Sequence, residues 1–123
     1  MANRYSETVI EHFMEHVNRG TMDNATGTGV TGVPGSGPFF VFQIRTVDGR
    51  VTDTRFQSHT CGVTVASGSV LTELVIGRSL DKCRELYVED LTSALGGVPN
   101  DKLHVPETAI KTLYQALTEA AIQ

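Results

Sequence analysis

The stretch FFVFQIRTVDGRVTDTRFQ, residues 39–57, decides the fold of this chain. Its two halves, Phe39 to Val47 and Val51 to Gln57, are rich in the aromatic and β-branched residues that are typical of strands. Between them, Asp48-Gly49 suits a type I′ turn, because both residue types tolerate positive φ. The stretch therefore predicts an antiparallel β-hairpin.

The first strand of this hairpin carries an apolar face that needs a cover, formed by Phe40, Phe42 and Ile44. Helices on both sides of the hairpin can supply it. An amphipathic first helix is indicated by apolar residues at helical spacing: Tyr5, Val9, Ile10, Phe13 and Val17. Further helical segments are predicted at 62–76, which ends before Gly77, at 80–86, at 88–95, and from near Pro106 to the end of the chain.

We therefore expect an α+β fold: a small, mainly antiparallel sheet of about three strands, with helices packed on one face. The last long helix is expected to lie across the sheet. The chain of 123 residues has the length of one ordinary domain, so residues 1–123 are expected to form a single domain.

The glycine-rich segment from Gly20 to Pro38 predicts a loop with one short strand near Val30 to Val33. Within it, GTGVTG at 27–32 matches the G-x-G-x-x-G pattern of dinucleotide-binding sites. Such a site must follow a strand and open a helix, whereas here a polar loop precedes and PGSGP follows. We therefore reject a dinucleotide site, and we expect His12 and His16, one helical turn apart, to be surface residues.

The charge balance argues against nucleic acid as a partner, since ten Lys and Arg face fourteen Asp and Glu, for a net charge of -4. No apolar stretch is long enough for a membrane span, and the first residues lack the apolar core of a signal peptide. We therefore expect a cytoplasmic protein with no membrane association, whose two cysteines are thiols.

Cys61 is the best candidate for a chemically active atom, because it stands where the second hairpin strand gives way to the next helix. Unpaired N–H groups and the helix dipole favour a thiolate at such a junction. Its possible cationic or hydrogen-bonding neighbours are His59, Lys102 and His104, of which His59 is expected to be a surface residue. The other thiol, Cys83, is expected to be a buried apolar filler.

The chain resembles the IscU/NifU N-terminal family, scaffold proteins on which iron–sulfur clusters are assembled from iron and from sulfur supplied by a cysteine desulfurase. Four segments carry the resemblance in order: YSETVIEHF at 5–13, GVPGSG at 32–37, TCGVTVASGS at 60–69 and KLHV at 102–105. The first resembles the opening helix of that family. The other three resemble its successive ligand loops, so the resemblance spans nearly the whole chain and implies the same α+β fold.

The resemblance also implies a changed ligand site. The family gathers three cysteines and an aspartate at one tip of the domain, and thiolates are the ligands that iron–sulfur clusters require. Here Ser36 stands at the position of the first cysteine, Pro38 at that of the aspartate and Val105 at that of the third cysteine. Cys61 remains, with Lys102 and His104 beside the third loop, so one copy of the chain is not expected to hold a standard cluster. Ser36 suits a tight Gly-Ser-Gly turn better than a ligand role.

Three functions are open on this basis. The resemblance favours a non-enzymatic role in iron–sulfur cluster assembly, with Cys61 as a persulfide acceptor or a partial ligand of iron, of a transient cluster or, weakly, of zinc, aided by His104. Cys61 and His104 from two copies could share a two-iron cluster, so a homo-oligomer is compatible with this role. The second possible function is that of a cluster-free subunit or regulator that binds a cysteine desulfurase or another sulfur-metabolism protein. The third and weakest makes Cys61 and a histidine the nucleophile and base of an unrelated enzyme.

Overall fold

The computed structural model describes residues 5–122. The elements in chain order are α1 (Glu7–Glu15), β1 (Gly27–Gly32), β2 (Phe39–Val47), β3 (Arg50–Ser58), α2 (Gly62–Val75), α3 (Leu80–Arg84), α4 (Val88–Ala94), a 3₁₀ turn (Asn100–Lys102) and α5 (His104–Ala121). Within these residues, the strands form an antiparallel sheet in the order β1-β2-β3. The expected α+β fold with a three-stranded antiparallel sheet is confirmed.

The predicted hairpin is present, and the type I′ geometry of its turn follows from φ values of 53° at Asp48 and 76° at Gly49. The predicted bounds of the first strand were wrong. β1 runs from Gly27 to Gly32, so it begins three residues before Val30 and stops short of Val33. Its glycines hid the strand, because glycine is depleted in strands and common in loops.

Two glycines of β1 allow the strand to pack closely against α5. A Cβ at Gly27 would overlap the carbonyl oxygen of Ala116, and a Cβ at Gly29 would overlap that of Thr112. On β1, the hydroxyl of Thr31 lies 2.6 Å from that of Thr112, and the N–H of Val30 donates to a side-chain oxygen of α5 at 2.9 Å. The G-x-G-x-x-G match therefore marks a close strand-to-helix contact.

The helix α2 forms the centre of the molecule, because every residue from 63 to 72 is buried. Small side chains make this possible: a Cβ at Gly68 would overlap the ring of Phe56 on β3. The thiol of Cys83 is fully buried beside α2, as expected, and its Sγ lies 3.9 Å from the carbonyl oxygen of Val75. Burial raises the pKa of Cys83 to about 11, so this thiol stays protonated.

The first helix packs on α2 through polar as well as apolar contacts, which corrects one expectation. His12 is half-buried: its Nδ1 lies 2.7 Å from the Ser69 hydroxyl, and its Nε2 lies 3.4 Å from Glu73. His12 therefore joins α1 to α2 and is not a freely solvated residue. His16 is exposed as expected, and its φ of 36° ends the helix.

The last helix begins earlier than predicted. The 3₁₀ turn is followed by Leu103 and then by α5, which begins at His104, so Pro106 occupies the third helical position. This is tolerated because the first four N–H groups of a helix have no intrahelical partner. The earlier start places His104 at the N-terminus of α5, with Lys102 at the end of the preceding turn. No helix within residues 5–122 is long and apolar enough to cross a membrane.

Candidate functional site

A cavity of about 370 Å³ lies at one end of the sheet. There β1 ends, β2 begins, and both α2 and α5 begin, so the walls come from the ends of four elements. The lining residues are Thr31, Gly32, Pro38, Phe39, Phe40, His59, Cys61, Thr64, Lys102, His104, Val105 and Thr108. Segments that are far apart in sequence thus converge around Cys61.

Cys61 is the N-cap residue of α2. Its backbone is extended, with φ -145° and ψ 130°, and its carbonyl accepts the first helical hydrogen bond, from Val65, at 2.8 Å. The side chain makes no capping hydrogen bond as a thiol and is half-buried. Because residues 63–72 of α2 are buried, the start of the helix holds Cys61 at the cavity wall.

The surroundings of Cys61 favour its thiolate. Partial burial raises the pKa of Cys61. This effect is outweighed by contacts that lower the pKa, namely those with the Thr64 hydroxyl and N–H, the Val63 N–H and the positive charge of Lys102. The net pKa is therefore below that of a free thiol. These N–H groups belong to the first turn of α2, whose donors lack helical partners. A thiolate can act as a nucleophile or as a metal ligand.

His59 has a structural contact that the sequence did not predict. It is half-buried, and the Phe39 N–H donates to its Nδ1 at 3.2 Å. The backbone N–H of His59 in turn donates to the Phe39 carbonyl at 3.4 Å. His59 therefore ties the end of β3 to the start of β2 and lines the cavity, which corrects its expected surface role.

The second wall of the cavity comes from the start of α5. Lys102 is half-exposed and close enough to act on the Cys61 thiolate, whereas His104 is exposed and its carbonyl accepts from Thr108 at 2.9 Å. Val105 and Pro38 line the same cavity but carry no side-chain ligand atom.

Among the site residues predicted from the sequence, Ser36 alone lies outside the cavity. It is exposed and absent from the lining, and its N–H donates to Val33 at 3.0 Å in the loop between β1 and β2. Gly35 and Gly37 on either side have φ of 84° and 80°, a conformation that suits glycine. Ser36 is thus a turn residue in this structure.

The described residues do not provide a metal-binding cluster. One thiol and two imidazoles, from Cys61, His59 and His104, line the cavity. Nevertheless, no three His, Cys, Asp or Glu side chains among residues 5–122 are grouped closely enough to hold an ion together. A tetrahedral zinc ion or an iron–sulfur cluster needs three or four such ligands, so neither fits one copy of the site as it stands.

The sequence-based expectations missed several cavity residues, and Thr64 is the most important of them. Its hydroxyl and N–H both stabilise the Cys61 thiolate. The signal was present, since the residue three positions after an N-cap carries an N–H that points at the cap side chain. Phe39, Thr31 and Thr108 gave no comparable signal, because only the folded chain brings them to Cys61.

Comparisons with known proteins agree with this fold. The family model described as the NifU-like N-terminal domain matches residues 4–121. The iron-sulfur cluster assembly scaffold protein IscU of Escherichia coli K12 is 38% identical over 126 residues, covering 94% of this chain and 98% of that protein. The iron-sulfur cluster assembly enzyme IscU of Drosophila melanogaster is 32% identical over 123 residues, covering 97% of this chain and 79% of that protein.

A solved structure gives the same result for the fold. A NifU-like protein (N-terminal) from Brucella abortus superimposes with a TM-score of 0.77 at 14% sequence identity, covering 98% of this chain and 96% of that one. At this identity the likeness concerns the fold alone. The near-complete match to the family model, together with the sequence identity to IscU proteins, shows that this chain belongs to the IscU/NifU N-terminal family.

Proposed function

We propose that this protein acts in iron–sulfur cluster assembly as a scaffold-like protein, with Cys61 as the acceptor of persulfide sulfur or as a partial iron ligand. Family membership supports the general role. One observation carries the specific role: Cys61, Lys102 and His104 line a single cavity, with the Cys61 thiolate favoured there. The ligand positions that differ from the family pattern, Pro38 and Val105, leave sulfur chemistry at Cys61 as the part of the scaffold role that these residues can perform.

The sulfur step needs a donor, and a cysteine desulfurase that carries a persulfide is the proposed partner. The Cys61 thiolate attacks the outer sulfur of the donor persulfide. The sulfur–sulfur bond of the donor breaks, the donor cysteine leaves as a thiolate, and Cys61 becomes a persulfide. Thr64 and Lys102 stabilise negative charge on Cys61, so they favour the attacking form. The protein is an acceptor in this step and not an enzyme.

Iron and the assembled cluster are cargo in this proposal. One copy of the chain offers Cys61 and His104, which fall short of a full ligand set. A cluster would therefore have to be shared with a second copy or with a partner that supplies the remaining ligands. This makes sulfur acceptance by a single copy separable from cluster binding by an oligomer.

The test is an anaerobic incubation of the purified protein with ferrous iron, a cysteine desulfurase and cysteine, followed by intact mass and absorption measurements. We expect a mass increase of one or more sulfur atoms that disappears in Cys61→Ala. Cys83→Ala is the matched control, because Cys83 is fully buried and should not affect sulfur acceptance. A protein that gains sulfur equally well without Cys61, or gains none, would contradict the proposed role.

The same incubation tests the metal role. A visible chromophore that depends on Cys61 and appears only in a dimer or a larger complex would support cluster sharing. A His104→Ala variant should weaken such a chromophore while leaving the sulfur mass increase in place. A chromophore in the monomer would contradict the ligand count that the structure gives.

A second candidate function is that of a cluster-free interaction subunit, and the surface of α1 favours it. Ile10, Phe13 and Met14 are apolar but 38%, 36% and 70% exposed, at helical spacing on one helix. Phe13 is near the start of α2, since a Cβ at Gly62 would lie 4.0 Å from its ring. If this role is right, Met14→Glu should abolish co-purification of a partner while Cys61→Ala does not.

A further inference from the structure

We propose that the cavity beside Cys61 binds a small anionic thiol, of which glutathione is the test case, and that this thiol accepts the sulfur atom from Cys61. The inference rests on the proposed sulfur-carrying role of Cys61. It goes beyond that role by assigning a class of acceptor to the site.

The size of the cavity is the first argument. A single sulfur atom on Cys61 would occupy only a small part of about 370 Å³. Cavities of about 300–1000 Å³ are the sites in which proteins hold small molecules. Pro38 and Val105 form walls of this cavity without offering a ligand atom, so the space is shaped for an organic molecule better than for a metal cluster.

The charge of the lining is the second argument. Among the described residues that line the cavity, Lys102 is cationic and none is Asp or Glu, although the chain as a whole has a net charge of -4. The acidic neighbour Asp101 is exposed and lies outside the lining. Lys102 therefore offers a ligand carboxylate a cationic partner, while the negative charge of the Cys61 thiolate offsets part of its field.

The polar groups of the lining complete the site. The imidazole of His104 and the hydroxyls of Thr31 and Thr108 line an otherwise apolar space that includes Phe39 and Phe40. Thr31 and Thr108 already donate their protons, to Thr112 and to the His104 carbonyl, so toward a ligand they act as acceptors for its N–H groups. Small-molecule sites commonly combine apolar walls with a few convergent polar groups that fix the orientation of the ligand. Here these groups surround the same space as the sulfur of Cys61.

The transfer from Cys61 to the small molecule is a thiol–persulfide exchange. The thiolate of the bound small molecule attacks the outer sulfur of the Cys61 persulfide. The sulfur–sulfur bond on Cys61 breaks, Cys61 leaves as a thiolate, and the small molecule departs as a persulfide. The departing Cys61 thiolate lies beside the Thr64 hydroxyl and the positive charge of Lys102, which both stabilise it.

Binding is tested first, without any sulfur. S-methylglutathione has the charges of glutathione but no free thiol, so it should occupy the cavity and slow the alkylation of Cys61 by iodoacetamide in a Cys83→Ala background. Protection should reach about tenfold when its concentration is about ten times the dissociation constant. Lys102→Gln should weaken binding about fivefold, the effect of one partly exposed charge pair. Lys111→Gln, an exposed lysine of α5 outside the cavity, is the matched control.

Transfer is tested next, with Cys61 loaded as a persulfide by inorganic polysulfide so that no desulfurase is needed. Loss of the extra sulfur is followed by intact mass after adding glutathione, or cysteamine as a cationic thiol, at equal thiolate concentration. Glutathione should remove the sulfur about tenfold faster, and Lys102→Gln should remove most of this preference.

The outcomes separate this inference from the proposed function. If Cys61 accepts sulfur from a desulfurase, but S-methylglutathione gives no protection and the two thiols react at equal rates, the acceptor inference is wrong and the proposed function stands. If S-methylglutathione protects Cys61 but a desulfurase never loads it with sulfur, the proposed function is wrong and the acceptor role fails with it.

Discussion

Gly29 lies directly beneath α5, and its replacement by alanine is expected to destabilise the protein strongly. The new Cβ would overlap the carbonyl oxygen of Thr112, and it would lie 3.0 Å from the carbonyl carbon and 3.1 Å from the Cβ of Gln115, where ordinary contacts are 3.4–4 Å. Two of these atoms belong to the backbone, so no side-chain rotation relieves the clash. The helix must move away from β1.

The magnitude follows from this geometry. Overpacking of a core typically costs about 1–3 kcal/mol, and a rigid backbone obstacle places Gly29→Ala near the upper end, at about 3 kcal/mol. The movement would also stretch the hydrogen bond from Val30 to Gln115 and the contact of Thr31 with Thr112, which hold α5 against the two residues after Gly29. The free energy of unfolding should therefore fall by at least about 2 kcal/mol even if α5 adjusts.

Urea denaturation followed by circular dichroism measures this change. Gly62→Ala is the matched control, because Gly62 has no positive φ and, within residues 5–122, a Cβ there would approach Phe13 alone outside its own helix, at 4.0 Å. That variant should be neutral or slightly stabilising, since alanine reduces the entropy of the unfolded chain. If Gly29→Ala is as stable as Gly62→Ala, the close contact between β1 and α5 is not a determinant of stability.

Three further results are expected. The alkylation rate of Cys61 should reach half its maximum at a lower pH than that of a free thiol, and Thr64→Val should move this midpoint upward, because it removes a hydrogen bond to the thiolate; an unchanged midpoint would contradict this role of Thr64. The free energy of unfolding should fall as pH rises from 9.0 toward about 11, since the raised pKa of Cys83 lets the unfolded state lose its proton first; Cys83→Ala should flatten this part of the pH profile. His12→Ala should lower the free energy of unfolding by about 1 kcal/mol, because the contact with Ser69 is lost. If added salt leaves this difference unchanged, the lost stability comes from the hydrogen bond with Ser69 and not from the ion pair with Glu73.

The hairpin could be predicted from sequence because its signals are local. The Asp48-Gly49 turn and the alternation of Phe40, Phe42 and Ile44 need no knowledge of distant residues. β1 could not be predicted in the same way. Gly27 and Gly29 indicate a loop until α5 is placed against them, and only this distant contact explains why a strand should carry them.

The candidate site, like the sheet, could be predicted from the sequence only in part. The helix-start position of Cys61 indicated an active thiol, and the family resemblance indicated Lys102 and His104, which the structure places in the same cavity. The role of His59 was mistaken because its partner, Phe39, is 20 residues away across the hairpin. Long-range backbone contacts of this kind leave no pattern in the local sequence.

The near-complete burial of α2 separates the folding of this protein from its chemistry. The apolar contacts that hold α2 in place lie in a core that includes Val65, Leu71 and Phe56. Pro38 and the neighbouring Ser36 are exposed, so their side chains contribute little to that core. Substitutions in this loop can therefore change which molecules the site accepts while the fold persists. Natural selection could therefore test new side chains in this loop at little risk to the stability of the protein.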